Sequence, residues 1–267
     1  MSDVEDQRLI RQLLMAAALA ADPARATRMD HGLSGDLVVR LETTPPLYGK
    51  IGGGSRISHA ELGREIAALD WLTGRALVPR LAWSGWVDGR PAMLTEAVAG
   101  APLHELADAD AEAGAIAAIH ALAALHALPT QACPFDERLG IKLAEAERRV
   151  ASGEVREDDL DADLAGRSLS DLSAELLARR PTGEDLVFTH GDASWPNFIL
   201  RPDGAVAMID LGRAGVADRY QDLALFVRSG ARNFPHLPVR ALLEAHYPLA
   251  ELDEAKLDFY RLLDEFY

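Results

Sequence analysis

The residues His190-Gly191-Asp192-Ala193-Ser194-Trp195-Pro196-Asn197 are followed by Asp210, thirteen positions beyond Asn197. Between them, residues 198–200 and 205–209, which are mainly apolar, flank Asp203-Gly204, a pair typical of a tight hairpin turn. A turn centred on this pair places Asn197 directly opposite Asp210. Opposed residues have Cβ atoms about 4.5–5.5 Å apart, so an amide oxygen and a carboxylate can bind one small cation at about 2.1 Å each. The spacing predicts a magnesium site at Asn197 and Asp210, completed by nucleotide phosphates and water.

Asp192 precedes Asn197 by five positions, the interval that separates the base from the metal-binding Asn in the protein kinase catalytic loop. Gly191 stands where that loop has Arg. The resemblance implies that Asp192 takes the proton of an acceptor hydroxyl as its oxygen attacks the γ-phosphorus. The alternative is a loop turn in which Asp and Asn only cap strand ends. That alternative does not account for three polar groups that share the kinase interval and one hairpin, so the motif favours phosphoryl transfer to an alcohol.

Residues 209–225 and the tail at 259–267 closely resemble the aminoglycoside 3'-phosphotransferases, and the resemblance runs from about Leu122 to the end of the chain. It implies a protein-kinase-like α/β fold with two lobes. Residues 1–97 would form a nucleotide-binding lobe, an antiparallel sheet with one helix, and residues 98–267 a mainly helical catalytic lobe. The implied activity is ATP-dependent phosphorylation of the 3'-hydroxyl of aminoglycosides such as kanamycin and neomycin, giving antibiotic resistance. GTP is the alternative donor.

The formal net charge of -15 argues against nucleic-acid partners and favours a cationic substrate. Residues 154–163 contain six acids and a single base, Arg156. On the residues alone, a solvated acidic loop explains this segment equally well. The family resemblance assigns the ammonium groups of the substrate to Asp159, Asp161, Asp264, Glu265 and the terminal carboxylate of Tyr267.

The same resemblance places Arg213 and Arg228 near the acceptor, where they would orient acids or hydroxyls. It also implies acids at the positions of Ala162 and Ser229, which this chain lacks. We therefore expect a narrower or different range of aminoglycosides.

The N-terminal part of the chain is predicted to hold the nucleotide. Residues 36–42 and 47–51 read as strands, and the second carries Lys50. In the kinase pattern a strand lysine contacts the α- and β-phosphates and pairs with a helix glutamate. The predicted helix over 59–72 offers Glu65, fifteen residues after Lys50, a choice that rests mainly on the family resemblance.

Other nucleotide contacts are predicted from backbone groups. The turn at 31–36 would cover the phosphates through its NH groups and the Ser34 hydroxyl. Backbone groups near Glu96 and Val98, at the end of a strand over 92–98, would bind the adenine edge. The glycines at 52–54 follow Lys50 rather than precede it, so we interpret them as a flexible connecting loop.

Several further predictions concern support and location. We expect Asp218 and Asp222 to brace the catalytic loop through backbone hydrogen bonds, and His126 to be a packing or surface residue on a helix. The single cysteine, Cys133, excludes an intramolecular disulfide and fits the reducing cytoplasm. The apolar residues 13–21 follow acidic residues, which favours an amphipathic helix over 4–21 rather than a signal peptide. The prediction is a cytoplasmic monomer or weak dimer without membrane partners.

Two alternatives stay open. A kinase of this fold could act on another alcohol, such as choline, homoserine, a macrolide or a sugar, because all of these share the His-Gly-Asp motif with its downstream Asn. The resemblance of the tail to the drug kinases argues against this. The chain could also be a catalytically silent kinase-like binding protein, but Asp192, Asn197, Asp210 and Lys50 are all present.

Overall fold

Residues 3–29 and 35–267 are described by the computed structural model, apart from the side chains of Asp3 and Asp159. Contacts divide the chain into two units. The first comprises Met1–Gly100 and Ala207–Arg213, and the second comprises Ala101–Val206 and Ala214–Tyr267. Among the described residues, no helix has the length and apolar character that crossing a membrane requires.

The first unit is built on a five-stranded sheet in which every neighbouring pair is antiparallel. In spatial order the strands are β1 (Thr27–Arg28), β2 (Leu37–Leu41), β3 (Leu47–Ile51), β5 (Arg90–Glu96) and β4 (Leu81–Val87). Side chains alternate between buried and half-buried along β2 and β3, as expected for strands with one face in a core. The alternation puts Leu47 and Ile51 on the core side and Lys50 on the other.

Two helices accompany this sheet. Helix α1 (Asp3–Ala16) buries Leu9 and Leu13 in one core with the inner residues of β2 and β3. A Cβ atom at Gly49 would lie 2.8 Å from a methyl carbon of Leu13, so glycine permits this close approach. The predicted helix over 4–21 ends sooner because Ala18 has a left-handed φ of 50°.

Helix α2 (Arg56–Leu72) starts three residues before the predicted His59. Ser55 supplies the cap, because its hydroxyl accepts a hydrogen bond from the Ser58 NH at 3.0 Å. Leu62, Leu69 and Leu72 are buried on one face of α2, and Glu65 is buried among them.

The second unit is mainly helical. Its helices are α3 (Asp108–His126), α4 (Leu139–Ala151), α5 (Leu169–Ala178), α6 (Tyr220–Asn233), α7 (Val239–His246) and α8 (Glu254–Asp264). Short strands β6 (Ala101–Pro102) and β8 (Phe198–Leu200) pair antiparallel, as do β7 (Leu186–Thr189) and β10 (Gly215–Asp218). The catalytic-loop candidates lie between β7 and β8. After β8 a turn leads into β9 (Val206–Met208), along which the chain returns to the first unit.

The turn after β8 differs from the predicted one. The Arg201 NH donates to the Ala205 carbonyl at 2.9 Å, and the Gly204 NH donates to the Arg201 carbonyl at 2.9 Å. The loop therefore has three residues and ends at Gly204, whose φ of 81° is left-handed. This shifts the register by one residue, so the predicted direct opposition of Asn197 and Asp210 does not follow from the turn.

Candidate active site

Lys50 is surrounded by carboxylates within the first unit. Its Nζ lies 2.8 Å from Glu65 Oε2, 3.0 Å from Asp210 Oδ1 and 3.7 Å from Asp36 Oδ2. We call these four residues the Lys50 group. Glu65 and Asp36 are buried, whereas 51% of the Asp210 side chain is exposed. The predicted ion pair between Lys50 and Glu65 is thus present, and an accessible carboxylate stands beside it.

The protonation of the Lys50 group reflects three acids around one ammonium. Burial, reinforced by repulsion from Asp210 and opposed by Lys50, raises the pKa of Glu65 to about 7. Burial alone would lower the pKa of Lys50, but the attraction of Glu65 and Asp210 outweighs it and raises that pKa. Lys50 therefore stays charged at neutral pH, while Glu65 is the carboxyl poised to hold a proton.

Asp36 connects Lys50 to the glycine loop at 52–54. Its Oδ1 accepts hydrogen bonds from the Gly53 NH at 2.9 Å and from the Ser58 hydroxyl. The Gly53 carbonyl in turn lies 2.8 Å from His59 Nε2. The loop predicted to be flexible is therefore held at its centre, and a Cβ at Gly53 would lie 2.7 Å from the Gly35 carbonyl oxygen.

Asp210 has an unusual backbone conformation, with φ 59°, in the left-handed region that costs most residues energy. The segment that follows runs beside α2. Arg213 Nε lies 3.6 Å from Glu61 Oε1, and a Cβ at Gly212 would come within 3.2 Å of the Glu61 carbonyl oxygen. Arg213 thus belongs to the first unit, whereas the other residues predicted to surround the acceptor belong to the second.

The predicted adenine contacts lie at the end of β5. The Glu96 NH donates to the Arg80 carbonyl at 2.9 Å, and the Glu96 side chain pairs with Arg80. The Glu96 NH is therefore engaged within the sheet, and the adenine contacts at Glu96 and Val98 stay predictions. Ser34, predicted to cover the phosphates, lies outside the described residues.

Asp192 and Asn197 meet within the catalytic loop of the second unit. Asn197 Nδ2 donates to the Asp192 carbonyl and to Asp192 Oδ2, both at 3.0 Å, and lies 3.1 Å from Ser194 Oγ. Because the amide nitrogen is directed at Asp192, the amide oxygen occupies the opposite corner of the side chain. One residue therefore orients the candidate base and presents an oxygen suited to a cation.

Asp222 on α6 anchors the backbone of this loop. Its carboxylate accepts hydrogen bonds from the His190 NH at 2.6 Å and the Gly191 NH at 2.8 Å, as predicted for Asp222. His126 Nε2 lies 2.8 Å from the same carboxylate, and His126 Nδ1 lies 2.5 Å from the Tyr247 hydroxyl. Burial alone would raise the pKa of Asp222, but the hydrogen bond and electrostatic attraction of His126, together with His190 and its backbone NH, outweigh burial and lower that pKa.

Asp218, which was also predicted to brace the catalytic loop, does not do so. Its carboxylate accepts from the Tyr220 NH at 3.1 Å and pairs with Lys256 Nζ at 2.7 Å, so it braces the start of α6 and α8 rather than the loop. Ser229 does contact the loop, because its hydroxyl accepts from the Trp195 NH at 2.9 Å. That contact gives a structural reason for serine at a position where the resemblance implies an acid.

Three of the acids predicted to bind substrate form one cluster in the second unit, and they are paired with arginines. Arg228 Nη1 lies 3.1 Å from Glu265 Oε1 and 3.4 Å from Asp161 Oδ2, and Arg228 Nη2 pairs with Asp264. Arg232 also pairs with Asp161. Burial raises the pKa of Glu265, although Arg228 opposes the shift. We call these five residues the acceptor cluster.

The two remaining predicted acids are placed less directly. Asp159 ends a short 3-10 helix, Glu157–Asp159, and its side chain lies outside what the structure describes. The Tyr267 carbonyl oxygen accepts from Arg149 Nη1 at 2.9 Å. Its ring lies 4.7 Å from Lys142 Nζ and 4.6 Å from the Arg149 guanidinium carbon. Tyr267 is thus docked on two cations of α4.

Comparisons with known proteins decide the family. The phosphotransferase enzyme family matches residues 25–260. An aminoglycoside 3'-phosphotransferase of Streptomyces fradiae is 38% identical, covering 90% of this chain and 94% of the relative. The chain belongs to the aminoglycoside 3'-phosphotransferase family. A solved aminoglycoside 3'-phosphotransferase of type VIII superposes with a TM-score of 0.82 at 34% identity, covering 91% of this chain and 94% of that one.

A second solved structure shows this family's wider fold with ligands. The aminoglycoside phosphotransferase APH(3'')-Id of Streptomyces rimosus, in complex with ADP and streptomycin, is 26% identical with a TM-score of 0.79, covering 100% of this chain and 99% of that one. The family, the protein-kinase-like α/β fold and the assignment as a phosphotransferase, all predicted from the sequence, are confirmed.

Three contributions to the site were missed by sequence reasoning. Asp36 precedes the glycine loop by seventeen residues, His126 precedes Asp222 by ninety-six, and Arg232 follows Asp161 by seventy-one. A signal existed only for Arg232, which lies four residues after Arg228 and therefore on the same face of a predicted helix. Finding Asp36 and His126 required the tertiary structure.

Proposed function

We propose that this phosphotransferase moves the γ-phosphoryl group of ATP to the 3'-hydroxyl of an aminoglycoside, and so gives resistance to the drug. One observation carries the chemistry: Asn197 Nδ2 fixes the Asp192 carboxylate at 3.0 Å, on a loop whose backbone is anchored to buried Asp222. A carboxylate held in this way can accept a proton from a bound hydroxyl. The aminoglycoside acceptor is supported by the names of the relatives.

In the proposed reaction the acceptor oxygen forms a bond to the γ-phosphorus while the bond to the β–γ bridging oxygen breaks, and ADP leaves. Asp192 takes the proton that the acceptor hydroxyl loses. Catalysis by such residues is mainly positioning, because the transferred group has little covalent chemistry for the protein to perform. The hydrogen bond from Asn197 keeps the Asp192 carboxylate aimed at one place.

The nucleotide would be held by the first unit. Lys50 would bind the α- and β-phosphates, with Glu65 fixing its position, and Ser34 would contribute a phosphate contact. The Glu96 carbonyl and Val98 NH would recognise the adenine edge. We propose ATP as the donor, and the complex of a relative with ADP supports an adenine nucleotide. Equal turnover with GTP would show that the base edge is not read.

Magnesium is proposed to bind at Asp210 and Asn197. An accessible carboxylate and an amide oxygen are hard ligands of the kind that Mg²⁺ takes. No group of three or more His, Cys, Asp or Glu side chains with metal-binding geometry occurs in the described part of the chain, so phosphates and water would supply the other ligands. Magnesium, when bound with the nucleotide, neutralises the negative charge of the phosphates.

The acceptor would be held by the acids of the second unit, together with Arg213. The ammonium groups would meet Asp159, Asp161, Asp264, Glu265 and Tyr267, and Arg228 would keep the acids in place. Exposed ion pairs contribute only about 0.2–1 kcal/mol each, so affinity would come from several of them. We further propose a cytoplasmic monomer or weak dimer.

The first experiment measures ADP release with ATP and magnesium, using kanamycin and tobramycin, a relative of kanamycin without the 3'-hydroxyl. We expect turnover with kanamycin and none with tobramycin. Equal turnover with both drugs would show that another hydroxyl is phosphorylated, and the kinase activity itself would stand. Streptomycin is included because the similarity to APH(3'')-Id favours a 3''-hydroxyl as the second candidate acceptor.

Nucleotide binding separates the active from the silent form. We expect magnesium to tighten ATP binding in the parent protein and to lose most of that effect in Asp210→Asn. If magnesium leaves ATP affinity unchanged and no alcohol is phosphorylated, the chain is a kinase-like binding protein.

A further inference from the structure

Two arginines of α6 point at the acids of the acceptor cluster. Arg228 and Arg232 are four residues apart, so their side chains leave the same face of the helix. Both pair with the same carboxylate oxygen, Asp161 Oδ2. Two like charges in this spacing repel each other on an isolated helix, and Asp161 between them offsets the repulsion.

The two arginines differ in exposure. Only 16% of the Arg228 side chain is exposed, and it pairs with Asp161, Asp264 and Glu265 together. For Arg232 the exposed fraction is 51%. An exposed pair is weak and screened by salt, whereas a part-buried guanidinium shared among three acids is held firmly. Arg232 is therefore the arginine that another cation can displace.

The acidic side chains of the acceptor cluster are largely neutralised by its two arginines. Three carboxylates face two guanidiniums, so its formal charge is about −1 when all of them are ionised. An ammonium group that approaches Asp161 must share that carboxylate or replace an arginine on it. We propose that Arg232 determines substrate specificity by occupying Asp161 in competition with the ammonium groups of the acceptor. The inference rests on the proposed function, because it concerns the same acceptor site.

The consequence concerns affinity rather than chemistry. Removing the competing cation leaves Asp161 to the substrate and strengthens binding of multiply charged aminoglycosides. A structural brace would behave in the opposite way, because loss of Arg232 would then loosen Asp161 and weaken binding. A direct contact from Arg232 to a substrate hydroxyl would also weaken binding when it is removed.

The test compares Arg232→Lys, Arg232→Gln and Arg232→Glu in the full chain. Calorimetric Kd and steady-state KM are measured with kanamycin, at low and high salt. We expect Arg232→Gln to lower both constants about two- to fivefold, the range that one exposed ion pair supports. Arg232→Glu should lower the Kd and KM further, and Arg232→Lys should leave both near the parent values. In all three variants kcat should be unchanged. High salt should shrink the differences.

Arg240→Gln is the matched control, since the Arg240 side chain is also 51% exposed and pairs with Glu244 at 3.2 Å, on α7. It removes the same charge and should leave the Kd for kanamycin nearly unchanged. An equal gain in both variants would point to overall charge and overturn the proposal.

A higher or unchanged Kd in Arg232→Gln, with the melting temperature preserved, would also overturn it. If Arg232→Gln melts early, the other two variants still decide, because competition requires a Kd near the parent value in Arg232→Lys and a lower Kd in Arg232→Glu. Kanamycin that binds without being phosphorylated would refute the proposed function while leaving this inference testable through Kd. A parent that binds no kanamycin would refute both.

Discussion

Asp222 and the Lys50 group handle buried negative charge in opposite ways. Asp222 is one carboxylate with donors on several sides: the NH groups of His190 and Gly191, and the ring of His126, all within 2.8 Å. In the Lys50 group, three carboxylates lie within 3.7 Å of a single ammonium. The pKa shifts follow, since the pKa of Asp222 is lowered and that of Glu65 is raised.

We infer that the difference reflects the proposed role of each region. A carboxylate supplied with this many donors is stable as it stands, so it fixes a backbone, here that of the catalytic loop. Carboxylates that outnumber their cation are unstable together and favour the arrival of positive charge. The acceptor cluster, with three acids and two arginines, lies between these limits. Under the proposed function, the degree to which carboxylates are neutralised therefore distinguishes a residue that supports the loop from groups that bind nucleotide or substrate.

The largest effect is expected at Asp192, which lies on the loop that Asp222 anchors. In Asp192→Ala we expect turnover to fall about 10²–10⁴-fold, because a proton-transfer residue contributes that much, while ATP affinity stays nearly unchanged. ADP release and ATP titration measure the two. Asp203→Ala, in the exposed turn beside Arg201, is the control. Turnover within about tenfold of the parent would remove Asp192 from its proposed role.

The next effect concerns stability. Asp222→Asn keeps the shape of the side chain but replaces a charged acceptor that receives bonds from His190, Gly191 and His126. Breaking a buried charged network by losing one partner costs about 3–5 kcal/mol, so urea unfolding should show a loss of that size. Asp203→Asn should change little. A loss below about 1 kcal/mol would mean that the donors do not depend on the charge.

A smaller effect is expected when the cation of the Lys50 group is removed. Lys50→Met deletes a charged contact to the phosphates and leaves three carboxylates near them. A hydrogen bond to a charged group is worth about 1.5–3 kcal/mol, so kcat/KM for ATP should fall about 10- to 100-fold. Arg40→Met, on the neighbouring strand, should leave it unchanged. An unaltered kcat/KM for ATP in Lys50→Met would place the phosphates elsewhere.

How much of the structure could be predicted from the sequence depends on how far apart in the chain the contacting residues are. The interval from Asp192 to Asn197 and the alternation around Lys50 are local patterns, and they predicted a loop and a strand that the structure contains. The Lys50–Glu65 pair needed only one strand and one helix in addition. The hairpin register was wrong because Gly204 closes a three-residue loop, and a two-residue turn at Asp203-Gly204 looks the same in sequence.

Long-range charge pairing was beyond the sequence. The family resemblance placed Arg228 where it could orient acids near the acceptor, but it gave no partner for Arg232, which the structure pairs with Asp161. The role of His126 was missed for the same reason, since an apolar helix face carrying one histidine is typical of packing. Its partner Asp222 lies ninety-six residues away.

The last effect distinguishes the Lys50 group from Asp222 by the dependence of stability on pH. The pKa of Glu65 rises from an ordinary 4.5 to about 7, mainly through burial, so the folded protein holds a proton that the unfolded chain has released across that interval. The contribution of Glu65 to stability is thus complete below pH 4.5 and is lost as pH rises through 7. Glu65→Gln removes this titration.

We therefore expect the difference in unfolding free energy between Glu65→Gln and the parent to shift in favour of the variant from pH 5 to pH 8. The shift should be on the order of 1 kcal/mol for each pH unit between these two pKa values, since one pKa unit corresponds to about 1.4 kcal/mol. Glu61→Gln, an acid of the same helix that is not in the Lys50 group, is the control. A difference that stays constant across this pH range would mean that Glu65 is ionised throughout and that Lys50 and its surroundings neutralise all three carboxylates, as the donors around Asp222 do.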